Sequence, residues 1–303
     1  MKLRTLAFLS FTCLFPTTVF SSSSCPPPGY TNEQLLQIRQ DGFEVEDADQ
    51  RNELAIALLG CVAEPNPKIR DGVAFEGLSK WLRAESLNRD TIDSLYAGLV
   101  GQIRASDDPN GFEQPFAALI LSEVARTDRV EAFFTEERRS ELVQVAANYL
   151  ASVTDYRGFS ETQGWRHGVA HGSDLVLQLA LNEHINGEQI GTLMEALSAQ
   201  VAPSGEVFYI YGEPARLARA VFYAHQRGEP GTAAWQAWFE GISDPAPFET
   251  WSGMYASQAG LAKRHNTLTF LMAIHLNAVA AEDERATELA NIAMEALRRV
   301  LSG

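Results

Sequence analysis

Eleven consecutive residues hold most of what could do chemistry in this sequence: Gly164-Trp165-Arg166-His167-Gly168-Val169-Ala170-His171-Gly172-Ser173-Asp174. Two histidines stand four apart there, with an acid following in the next turn. Read as a helix from Trp165 to Leu181, at about 100° per residue, His167, His171, Asp174 and Gln178 share one narrow stripe. Trp165, Val169, Val176, Leu179 and Ala180 fall on the opposite, buried side. The stripe is therefore expected to face solvent or a groove. Imidazoles at i and i+4 can share a metal ion, and an acid one turn on can be a third ligand. That makes His167, His171 and Asp174 candidate ligands for a divalent ion such as zinc. No Glu follows the first His, so the H-E-x-x-H zinc-protease pattern is absent. Without a metal, the same three residues suit acid–base catalysis or ligand binding, because imidazole titrates near neutrality. The plainer reading is a polar helix face whose histidines bond neighbouring backbone or acids.

Other residues could join such a site. Arg216 and Arg219 are candidates to hold an anionic group, and Glu161 and His265 are further candidate helpers. His184, His225 and His275 are expected in structural roles. The Glu206–Gly212 run is β-branched and aromatic and reads as an ordered loop or lone extended segment. Its two tyrosines could line a pocket. Gly164, Gly168 and Gly172 recur every four residues. Glycine inside a helix costs about 1 kcal/mol against alanine, so the spacing predicts a neighbouring helix packed very close.

The elements that must position these residues are nearly all helical. Thr31 to Gln34 forms a capping box, and helices are expected at about 31–42, 47–60, 68–82, 90–104, 112–127 and 135–153. The central helix, others at about 187–200, 261–280 and 283–301, one that starts over Glu213–Val221 and one marked by Trp235, Trp238 and Phe239 complete the set. Pro214 is placed to open its helix at the first position. Successive pairs recur at roughly 40 residues, the period of HEAT and armadillo arrays. The fold expected is all-α, a solenoid of helical hairpins, with an α/α-toroid-like barrel as the alternative. Residues 31–303 read as one repeat domain behind a Pro-rich arm at 25–30.

Residues 1–24 have the pattern of an export signal, with Lys2 and Arg4, an apolar run Leu6–Phe20 and small residues Ser21–Ser24. Ser22 stands where a lipoprotein signal ending at Cys25 would carry Leu, which argues against lipidation. A periplasmic or secreted chain follows, with no later stretch apolar enough to span a membrane. Cys25 and Cys61 are an even pair in an oxidising compartment and are expected to bond. The net charge of −15 repels nucleic acid and anionic lipid.

Three blocks carry a family resemblance: Arg70-Asp71 through Trp81-Leu82, Gly164 through Leu175, and Tyr211-Gly212-Glu213 through Val221. Together they resemble the bacterial DUF2785 family over roughly residues 30–300. The resemblance implies an all-helical, HEAT-like fold and no stated activity. The sequence lacks a G-x-S-x-G elbow, a Walker A loop, a dinucleotide-binding glycine pattern and a cysteine metal cluster. The leading expectation is thus a binding or scaffold protein of the cell envelope, its partner a protein or a small molecule. The competing expectation is a metal-dependent or histidine-based hydrolase centred on His167, His171 and Asp174. The two differ in whether the histidine stripe faces a concave pocket, with Arg216 or the 206–211 loop across it.

Overall fold

A computed structural model of the chain describes residues 24–303. The expected export signal, with Cys13, lies outside them except for Ser24. The described chain is all-α apart from one short hairpin.

The first layer contains α1 (Asn32–Gln40), α2 (Ala48–Ala57) and a 3-10 turn at Leu58–Cys61. Thr31 and Gln34 close the capping box reciprocally at the start of α1. Cys25 and Cys61 are joined in a disulfide, which ties the Pro-rich arm to the end of α2. The helix expected at 68–82 is not uniform. It opens as α3 (Pro67–Ile69), widens to a π-helical segment at Arg70–Phe75 and continues as α4 (Glu76–Arg83). Gly72 and Gly77 lie where that run meets other side chains. A Cβ on Gly72 would stand 2.7 Å from the Arg39 guanidinium, and one on Gly77 2.9 Å from the Phe43 ring.

The succession then becomes regular: α5 (Arg89–Ile103), α6 (Glu113–Val130), α7 (Glu136–Ser152), α8 (Gly168–Ala180), α9 (Gly187–Val201), α10 (Glu213–Gln226) and α11 (Thr232–Ile242). A 3-10 turn at Ser252–Ala256 leads to α12 (Gln258–Val279) and α13 (Glu284–Ser302). Helices two apart in sequence pack on one another. One row runs α4, α6, α8, α10, α12, and α7 and α9 pack together on the other side of it. That neighbour order is common to stacked helical hairpins and to α/α barrels. Buried Leu, Ile, Val, Ala and aromatic side chains form one continuous core between the rows.

The hairpin interrupts the pattern between α7 and α8. Strands β1 (Phe159–Ser160) and β2 (Gly164–Trp165) pair antiparallel, Phe159 opposite Trp165. Two more backbone bonds, Arg166 N to Gly158 O and His167 N to Arg157 O, carry the pairing up to the helix. The central helix therefore starts at Gly168 rather than Trp165. Gly168 and Gly172 do lie against a close neighbour, as their spacing predicts. A Cβ on Gly172 would stand 3.0 Å from Leu150 and 3.1 Å from the Tyr149 ring of α7. The Glu206–Gly212 run is a loop, and Pro214 is the second residue of α10, one place later than expected.

Candidate functional site

His171 and Asp174 lie three residues apart on one face of α8, as the helical stripe requires. His167 reaches the same place by another route. It precedes the helix as its N-cap, in the left-handed backbone region at φ 60°, and its side chain makes no capping bond. Left-handed backbone is uncommon for a residue with a side chain and points to a local constraint. The turn places the His167 ring over Trp165, stacked at a centroid distance of 4.7 Å, and 5.7 Å from the His171 ring. Trp165, expected on the buried side of a helix, instead stands on β2 and keeps about a third of its surface exposed.

These residues line a cleft of about 780 Å³, within the range of small-molecule sites, about 300–1,000 Å³. Its walls come from four successive members of one helix row. The π segment and α4 give Asp71, Phe75, Glu76 and Arg83, and α6 gives Phe116 and Glu123. Helix α8 gives His171 and Asp174, and α10 gives Arg216 and Arg219. Tyr211, from the 206–211 loop, and Trp165 close one edge, their rings 6.0 Å apart. The stripe thus faces a concave pocket with both Arg216 and that loop across it.

Both imidazoles are held neutral. His171 Nδ1 lies 3.2 Å from the Pro115 carbonyl, so Nδ1 carries the proton and donates, leaving Nε2 a bare acceptor. Burial, reinforced by His167 and Arg216, pushes the His171 pKa well below the usual value. Burial, then the Arg216 charge, brings His167 down to about 4. Only 8% of His167 is exposed, and its Nε2 is buried without a hydrogen-bond partner.

The acids differ. Asp174 accepts a bond from Arg216 Nη1. Burial still raises its pKa, partly offset by Arg216 and Arg219. Asp71 sits on the π segment, with Arg70 Nη2 2.8 Å from its Oδ1. Burial pushes the Asp71 carboxyl up to about 6, against the lowering pull of Arg70. Glu123 takes both arms of Arg83, with Nε–Oε2 at 2.7 Å. A π segment re-aims the side chains after it and recurs at functional sites; here it carries a carboxyl that titrates near neutrality.

Arg70 fixes that segment to the hairpin. It is fully buried, its guanidinium 4.0 Å and 4.7 Å from the rings of Phe112 and Phe116. It donates to the carbonyls of Glu64, Pro65, Gln163 and Trp165. Arg166 is occupied in structure as well, bonding Asn110 O and the Gln163 side chain and lying over Phe112.

The other expected helpers stand elsewhere. Glu161 is exposed in the hairpin turn, outside the cleft lining. His265 bonds the Tyr209 carbonyl at 3.2 Å, and His275 bonds the Ala290 carbonyl at 3.1 Å. His225 is buried beside Trp235. Asp174 is committed to Arg216. Among the described residues, no three His, Cys, Asp or Glu side chains gather in a metal-holding group. The sequence reading passed over Asp71, Arg70, Glu123 and Arg83. The sequence does carry a signal for the first two: Arg70-Asp71 follows Pro65-Asn66-Pro67 and precedes two helix-weakening glycines, Gly72 and Gly77.

Neither a curated protein nor a solved structure matches this chain. A family model described as "Protein of unknown function (DUF2785)" matches residues 99–276. That span is narrower than the roughly 30–300 expected. It takes in the α6, α8, α10 and hairpin walls of the cleft, but not the wall at 70–83. With more than half its length matched, the chain belongs to the DUF2785 family.

Proposed function

We propose that this is an exported helical-repeat protein whose cleft binds a small polar molecule. One observation carries the ligand reading: His167 Nε2 is buried, unpartnered and part of the cleft wall. Leaving a buried polar atom unpaired costs about 1–3 kcal/mol. The His167 backbone conformation adds roughly another 1–2 kcal/mol. A ligand that hydrogen-bonds Nε2, as donor or acceptor according to the tautomer, recovers the first cost. With both imidazoles neutral, the cleft offers acceptors and donors rather than a positive charge at its centre. Export is supported by Lys2, Arg4 and the Leu6–Phe20 run, and the Cys25–Cys61 bond suits an oxidising compartment.

A hydrolase without metal is the second reading, favoured by Asp71. A carboxyl titrating at about 6 can donate a proton to a leaving group near neutral pH, and the neutral histidines can orient a water. The first test is a thermal-shift screen of chemically distinct solutes (saccharides, carboxylates, phosphate, amino acids, nucleosides) on the chain from Cys25 onward. A true ligand at a hundred times its Kd stabilises by about 2.7 kcal/mol, or roughly 4–5 °C for a chain of this size. The shift should vanish in His167→Ala and His171→Ala. A screen in which no class shifts the melting point, or in which the shift survives both variants, removes the proposal. Turnover of a hit, abolished by Asp71→Asn with binding kept, would establish the second reading.

A further inference from the structure

The class of ligand can be narrowed, on the premise that the cleft is a ligand site. Each carboxylate lining the cleft has its own arginine. Asp71 faces Arg70 and Asp174 holds Arg216. Glu76 takes both arms of Arg39 at 2.8 Å, and Glu123 holds Arg83. A ligand entering this cleft meets no acid in need of a counter-charge. It meets carboxylate–guanidinium pairs, two of them two-armed (Arg39–Glu76 and Arg83–Glu123), and Arg219 beside them in the lining, so that donors and acceptors stand side by side.

The second observation is a ridge of exposed aromatic rings. Phe159, Trp165 and Tyr211 are 47%, 36% and 37% exposed. Trp165 packs against both others, 5.1 Å from Phe159 and 6.0 Å from Tyr211. A contiguous exposed apolar patch beside a polar cleft marks a contact surface. The ridge leads somewhere: Phe159 and Tyr211 also line a second hollow of about 460 Å³, with Tyr156, Arg157 and Ser160. Tyr211 borders both hollows.

The third observation is the unpartnered Nε2 of the buried His167, beneath Trp165 in the wall of the larger hollow. It asks for a neutral partner such as a hydroxyl, which serves Nε2 in either tautomer.

We infer that the cleft takes a neutral oligosaccharide, lying across Trp165 and Tyr211 from the larger hollow into the smaller. A sugar ring has two apolar C–H faces for the aromatic ridge and an edge of hydroxyls for the paired carboxylates and arginines. A chain of such rings needs the elongated double hollow that a single small anion does not. Hydroxyl groups donate and accept at once, which matches a neutral imidazole nitrogen of either tautomer and the arginines of the lining.

The test is isothermal titration of the chain from Cys25 onward with short cello-, xylo-, malto- and N-acetylated chito-oligosaccharides. A parallel arm uses citrate, inorganic phosphate and dipeptides. The inference predicts binding in the saccharide arm, tightening with chain length. Affinity should fall at least tenfold in Trp165→Ala and in Tyr211→Ala, and stay within a few-fold in Trp165→Phe, which keeps a ring. Phe208→Ala, an exposed aromatic outside both hollows, should bind as wild type. Thermal melts check that each variant is folded. Binding only in the parallel arm, lost in Arg219→Ala, overturns the saccharide inference while keeping the cleft as a ligand site. No binding in either arm overturns both.

Discussion

Asp128 and Asp174 are both acids on helices of one row, both sunk in the structure and both held by an arginine. They are otherwise opposites. Asp128, on α6, takes Arg139 at 2.7 and 2.9 Å, the Phe133 and Phe134 amides at 2.9 and 2.7 Å, and Asn182 at 3.0 Å. Burial alone would raise its pKa, but Arg139 and those amides outweigh it and hold the carboxyl below its usual value. Asp174, on α8, has a hydrogen bond from Arg216 alone and a raised pKa. The first acid is saturated and fastens a loop. The second is left with unfilled acceptor positions facing a cleft. An ion pair by itself therefore says little; how completely each carboxylate is satisfied separates fastening from function.

The sharpest break of that contrast is truncation of both acids. Asp128→Ala strands a buried Arg139 and two amides, and should cost about 3–5 kcal/mol in chemical denaturation. Asp174→Ala frees a guanidinium that is already half in water. It should cost about 1 kcal/mol or less while abolishing binding of any cleft ligand. Equal losses would collapse the distinction.

A smaller effect is pH-dependent. His167 is depressed to about 4 and His171 is also depressed, so the unfolded chain binds more protons than the folded one between about pH 6.5 and 4. Stability from these residues is complete above 6.5 and is lost as pH falls through that window. For His167 the loss is on the order of 2–3 kcal/mol. Denaturant midpoints at pH 7 and pH 4.5 should draw closer in His167→Gln than in wild type.

Asp71 gives the smallest effect and the opposite sign. Its folded pKa, about 6, lies above the ordinary carboxylate value. Its favourable contribution is thus complete below the unfolded pKa and is lost as pH rises through about 6. Asp71→Asn should remove that loss. Relative to wild type it gains about 1–2 kcal/mol between pH 4 and pH 8, allowing for partial exposure. A variant that tracks wild type at both pH values would show that Asp71 ionises freely.

Much of this architecture was legible in the residue pattern. Caps and periodicity located the helices because they are local, and Gly168 and Gly172 announced the close approach of α7. The pair Cys25 and Cys61 was readable from their even number once an export signal was expected. The site was half legible. His171, Asp174 and Arg216 converge, as a stripe and an arginine helix can suggest. The hairpin was missed because two strands of two residues leave almost no alternation to read. With it went the left-handed turn that sets His167, and the exposure of Trp165. The π segment escaped because its repeat differs from the α-helix by one residue per turn, within the tolerance of an apolar pattern. Asp71 and Glu123 are single acids in helical runs, and only tertiary packing distinguishes them from surface charge.

The grip of Arg70 on the hairpin joins parts of the chain more than ninety residues apart. One guanidinium stitches the Glu64–Pro65 corner, beside the disulfide-bonded 3-10 turn, to the strand that carries Trp165. Arg70 thus gives any ligand held against the hairpin a direct contact path to the first layer, and whatever coupling runs along it is reciprocal. Any factor by which a cleft ligand protected the Cys25–Cys61 bond from reduction would equal the factor by which reduction lowered that ligand's affinity.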